Sequence, residues 1–209
     1  MAAPITHTVL TNKAFNKYFK DKKKNKFFIG TNFPDIRYLK VIKREETHFL
    51  NIKINNLINE NSFMAGLKFH SLIDKINVKF MNLEKTYSLC PNSKYPTYLF
   101  VYLLVDELFY DKINKWSEFI NFMDKIASEE LLFNIPKKDI QKWHKILQDY
   151  FYQKPDNHSR AKFVTSVGFS RDDANNINYL VNEIKLNKKI NQIIKKLYNN
   201  FENILEEYD

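Results

Sequence analysis

Residues 62–76 read SFMAGLKFHSLIDKI, and this stretch decides the fold class. Met64, Leu67, Phe69, Ile73 and Ile76 fall at helical spacing, and Ser62 stands where a side chain can cap the first turn. On that helix His70 and Asp74 lie one turn apart and project side by side. Imidazole and carboxylate together suit zinc, iron or manganese. The bland alternative is a surface hydrogen bond between the two. Their neighbours Phe69, Leu72 and Ile73 instead place the pair near the apolar interior, where an uncompensated carboxylate is costly.

Upstream, residues 5–20 carry Val9, Leu10, Phe15, Tyr18 and Phe19 and read as a short amphipathic helix. The run DKKKNK at 21–26 reads as a solvated loop. It is followed by FFIGTNFPDIRYL, where Gly30, Asn32 and Pro34 interrupt regular structure while Phe27, Phe28, Phe33 and Ile36 turn the segment inward. Residues 45–58 read as a helix on which Thr47, His48, Ile52 and Ile54 compete for the inner face. Downstream, Pro96 opens a run that is apolar nearly all round, the pattern of a central bundle helix. Two further amphipathic helices are expected at 115–130 and 137–153, then a polar loop, then a long helix over 173–206. The count is six or seven helices and no strand. The expected fold is all-α, a compact multi-helix bundle forming one domain over 1–209, with the metal site in 5–110 and the rest completing the bundle.

Composition supports this. Only 3 Gly and 6 Pro occur in 209 residues, too few for the many turns of a sandwich or barrel. Hydrophobic residues make up 44% and charged residues 27%, as in a folded globular protein. The single cysteine, Cys90, excludes a disulfide framework and any Cys-rich zinc module, so a bound metal must use His and carboxylate ligands. The N-terminal MAAPITHTVL has no basic start or long apolar run, and no stretch reaches the ~18 apolar residues of a membrane span. A cytoplasmic location is expected, with signal-independent export open. The net charge of +9 suits phosphate-bearing partners: a small phosphate ester, anionic lipid or nucleic acid. Plain solvation by a Lys-rich composition accounts for it equally. The oligomeric state is not readable.

Read in order, Gly30, Pro34-Asp35, Thr47-His48, Phe63-x-Ala65-Gly66 and His70-x-x-x-Asp74 form a set. It resembles the zinc-dependent phospholipase C family and its S1/P1-nuclease relatives over about residues 5–76. The resemblance implies a first metal site built from Asp35, His48, His70 and Asp74. It implies that His7 matches the family's early histidine and joins a second ion bridged by Asp74. One or two divalent ions are therefore expected, zinc foremost. The sequence departs from the family further on: Lys75 to Cys90 contains no His, and His144 is followed four residues later by Gln148 rather than by Glu.

The expected activity is hydrolysis of a phosphate ester (phospholipid, nucleotide or nucleic acid) by an ion-activated water. Asp35 or Glu107 is the expected proton acceptor and Arg37 the substrate-binding cation. Glu107 and Asp106 lie in a run too apolar for both acids to face water, and pairing with Arg or Lys is the alternative for either. Two other readings stand beside this one: a helical binding or effector module with a structural or vestigial metal site, and an HD-type phosphohydrolase. The latter lacks its adjacent His-Asp dipeptide here.

Overall fold

The computed structural model describes residues 2–91 and 98–207. It is all-helical, with no strand among those residues. Ten α-helices follow one another: α1 Pro4–Tyr18, α2 Lys24–Asn32, α3 Ile54–Ile58, α4 Ser62–Leu83, α5 Leu99–Phe109, α6 Trp116–Phe122, α7 Lys137–Phe151, α8 Asn157–Ser166, α9 Arg171–Lys185 and α10 Lys188–Glu206. The core runs unbroken from Ala2 to Leu205. No helix among the described residues is long and apolar enough to cross a membrane.

The count exceeds the expected six or seven because polar side chains restart helices where polarity alone suggested loops or continuity. Asp156 accepts the Ser159 N–H at 2.7 Å and begins α8 inside the supposed polar loop. Asn187 accepts from Lys189 and Ile190 and divides the expected 173–206 helix into α9 and α10. At α4 the cap is Asn61, which accepts from Met64 at 2.9 Å. The Ser62 hydroxyl accepts from Lys23 N–H instead, tying the start of α2 to the start of α4. Pro96 lies outside the described residues.

Two expectations near the site are corrected. Residues 27–39 do turn inward, but as a helix through Asn32 followed by a 3-10 turn over Pro34–Leu39. Pro34 opens that turn, where its missing N–H costs nothing. Residues 45–58 are helical only at Arg44–Glu46, a 3-10 turn, and in α3. Between them Asn51 takes φ 57°, a left-handed conformation that stops a helix and that Asn tolerates. His48 stands just past the 3-10 turn, its N–H bonded to the Arg44 carbonyl at 2.9 Å, rather than on the face of a continuing helix.

The feature that positions the site is the crossing of α2 and α4. A Cβ on Gly30 would fall 2.1 Å from the Phe63 carbonyl oxygen, and one on Gly66 2.0 Å from that of Phe27. The two glycines let the backbones touch. That contact brings the end of α2, with Thr31 and Asn32, against the middle of α4, where His70 stands.

Candidate metal centre

His70 is fully buried on α4, and its Nδ1 lies 2.9 Å from the Thr31 carbonyl oxygen. A carbonyl only accepts, so Nδ1 carries the proton and Nε2 keeps its lone pair. That lone pair points at His48, whose Nε2 is 3.3 Å away. His48 in turn rests its Nδ1 on the Thr47 hydroxyl at 3.1 Å. Both rings thus have their Nδ1 side engaged by a threonine group and their Nε2 side turned inward, the arrangement that holds histidines for metal ligation.

The carboxylates close around these nitrogens. Asp74 Oδ2 lies 3.8 Å from the Nε2 atoms of both His48 and His70, and its Oδ1 accepts the Ala2 backbone N–H at 2.6 Å. Asp35, on the 3-10 turn after α2, joins His48 and His70 in a group whose ligand atoms all lie within 4.8 Å of one another. His7, from α1, forms a second such group with His70 and Asp74. Its ring stacks on His70 at 3.8 Å, and its Nε2 lies 3.4 Å from Asp74 Oδ1. Neither His7 nitrogen has a hydrogen-bond partner among the described residues. All five expected ligands are brought together and buried.

The two groups share His70, and this limits them. With Nδ1–H held by Thr31, His70 offers one lone pair and serves one ion. The two groups therefore stand as alternatives for one ion, Asp35, His48 and His70 or His7, His70 and Asp74.

The electrostatics suit a cation. Burial, then the neighbouring His7, hold His70 well below the usual imidazole range. Burial and the Arg44 charge push His48 down to about 4. Both rings are therefore neutral at pH 7 and can donate without first losing a proton. Burial alone would raise Asp74, but the His7 side chain against it leads the effects that hold it well below the usual carboxylate range. Burial, reinforced by the Asp74 charge, pushes Asp35 up to about 6. Two carboxylates crowded into an apolar interior are what a divalent ion relieves.

Arg37 sits where expected, its Nη2 3.4 Å from Asp35 Oδ1 and its guanidinium over the Tyr38 ring. Glu107 does not. Its carboxylate is gripped by Arg160 of α8 at 2.6 Å and Lys185 of α9 at 2.5 Å, so the expected role as proton acceptor gives way to a buried ion pair. Asp106 accepts the Ile5 and Thr6 N–H groups and the Thr6 hydroxyl, and so caps α1, the helix that carries His7. His144 pairs with Glu130 at 2.8 Å. His158 is exposed, as expected.

A cleft of about 620 Å3 opens on the centre, and His48 and Asp74 lie in its wall. Arg44, Lys75 and Lys79 line it, with Leu72 and Val78 among its apolar residues. Comparison with family models, curated proteins and solved structures gives no match to this chain.

Proposed function

We propose that this chain is a divalent-metal-dependent hydrolase of phosphate esters. The observation that carries the reading is the convergence of the His48 and His70 Nε2 atoms, 3.3 Å apart, beside two buried carboxylates, of which Asp74 lies in the wall of a cation-lined cleft. Asp35, His48, His70 and Asp74 are the ligands in this reading. Two imidazoles with two carboxylates suit zinc best, with iron and manganese as the other candidates. An ion held there supplies a water of lowered pKa and a Lewis acid for a phosphoryl oxygen. Asp35 takes the proton and Arg37 steadies the charge that develops on phosphate. The resemblance to zinc-dependent phospholipase C and the S1/P1 nucleases agrees with this reading. Glu107 has no part in it.

The test is elemental analysis of the purified protein together with hydrolysis of 4-nitrophenyl phosphate and of its bis ester. One zinc-class ion per chain is expected, with His70→Ala losing both ion and activity. Protein that takes up no divalent ion at pH 7.5 sinks the proposal.

A second reading is favoured by the depth of the ligands, since His7, Asp35 and His70 are each 3% exposed or less. In that reading the ion is structural and closed. Bound cobalt separates the two: a four-coordinate spectrum unchanged by phosphate supports the structural reading, and a shift on adding phosphate supports the hydrolase.

A further inference from the structure

The centre has a second cavity. It is a chamber of about 190 Å3 that shares no lining residue with the cleft. The cleft meets the centre at His48 and Asp74, and the chamber meets it at Asp35. Asp35 and His48 have ligand atoms within 4.8 Å of each other, so the candidate ligands stand as a thin partition between the two spaces.

The walls of the two spaces differ. The cleft is broad and carries Arg44, Lys75 and Lys79. The chamber is small, with Asp35, Arg37 and Tyr38 as its polar lining and Phe163, Val167 and Phe169 among its apolar walls. Local sequence builds that apolar wall. Helix α8 ends at Ser166, and two residues on Gly168 takes a φ of 99°, which only glycine adopts without strain. The chain then folds back so that Phe169 N–H reaches the Val164 carbonyl at 3.2 Å, a helix-ending motif that sets Phe169 beside Val167. An apolar cavity of about 150 Å3 holds one benzene ring, so the chamber is of one-ring size.

We propose that the chamber is the pocket for the alcohol part of the substrate, and that the chain acts on phosphate monoesters of a single aromatic ring or a group of that size. This rests on the phosphate-ester reading above. The phosphoryl group lies at the partition, within reach of Arg37, and the ring enters the chamber. A water oxygen bonds to phosphorus while the bond from phosphorus to the aryl oxygen breaks. One proton of that water ends on the phosphate and the other on the phenol. Val167 and Phe169 are the specificity-determining residues because they set the depth of the chamber.

Binding of non-hydrolysable phosphonates to the zinc-loaded protein tests this by calorimetry. Phenylphosphonate is expected to bind about tenfold or more tighter than methylphosphonate, the return from burying one ring. Val167→Trp, which fills the chamber, is expected to erase that preference while the zinc content stays unchanged. Phe169→Ala, which deepens it, is expected to admit 4-biphenylphosphonate, which the unaltered protein binds at least about tenfold more weakly than phenylphosphonate. Equal binding of phenyl- and methylphosphonate, or a preference that survives Val167→Trp, overturns the chamber assignment and leaves the hydrolase reading standing. Bound zinc with no affinity for either phosphonate overturns both.

Discussion

Two buried polar groups in this molecule invite comparison: the His144–Glu130 pair and the cluster around His70. In the first, every polar atom is satisfied. His144 Nδ1 meets the Met123 carbonyl at 3.0 Å and Nε2 meets Glu130 Oε1 at 2.8 Å, while Glu130 Oε2 accepts the Ala127 N–H at 2.7 Å. The network closes on itself and pins the connection between α6 and α7. In the second, the histidines are held from behind by Thr31 and Thr47 and their remaining nitrogens face each other and two carboxylates. Neither His7 nitrogen has a hydrogen-bond partner among the described residues. A protein satisfies the buried polar groups it uses for structure. The comparison therefore teaches that burial of a polar group alone does not mark a site. What marks it is ring nitrogens and carboxylates from separate parts of the chain converging on one small space.

The largest effect expected from breaking this contrast is on the closed pair. His144→Ala strands the Glu130 carboxylate, which is fully buried, and is expected to cost about 3–5 kcal/mol in stability. Urea unfolding measures it, and metal affinity should not change. Asp35→Asn should do the reverse. It removes a buried charge, so the metal-free protein is expected to melt at the same temperature or higher, as in other trade-offs between stability and site. Metal affinity is expected to fall at least ~100-fold, beyond the 10–100-fold typical of residues that only support a ligand. If Asp35→Asn destabilises the metal-free protein as His144→Ala does, the two clusters are of one kind and the contrast is wrong.

How much of this was legible in the sequence depends on the range of the interaction. The His70–Asp74 pair was readable because one helical turn fixes it, and the helix period was clear. Asp35, His48 and His7 enter only through the resemblance to the phospholipase C family, and the helical pattern over 45–58 does not show that His48 stands off a helix. For Glu107 the sequence leaves proton acceptor and ion pair both open, because its partners, Arg160 and Lys185, lie 53 and 78 residues away. No local pattern announces them. Gly30 was read as a breaker, but its function is close approach to α4, which is visible only once the partner helix is known. The Thr31 carbonyl that orients His70 carries no sequence signal at all, since every residue has one. Helix number was underestimated because short capping side chains such as Asp156 and Asn187 look the same in a loop as at a helix start.

A third buried carboxylate sharpens the comparison, with the smallest expected effect. Asp106 is satisfied like Glu130, but by neutral donors only, the Thr6 and Ile5 N–H groups and the Thr6 hydroxyl. Neutral donors compensate burial less fully than a charged partner. Burial accordingly pushes the Asp106 carboxyl up to about 7, against the pull of those hydrogen bonds. In the unfolded chain it titrates near the ordinary value of about 4. Between those two values the native state keeps a proton that the unfolded state releases, so this group favours the fold fully below about pH 4 and loses that contribution as pH rises through about 7. The slope cannot exceed the one-proton limit of ~1.4 kcal/mol per pH unit. Asp106→Asn keeps an acceptor for the α1 cap and removes the titration. Urea unfolding of the metal-free protein at pH 5, 6, 7 and 8 is expected to show the variant losing less stability with rising pH than the unaltered chain. Parallel curves would mean that the three neutral donors hold Asp106 ionised throughout, and that a buried carboxylate here needs neither a cation nor a proton.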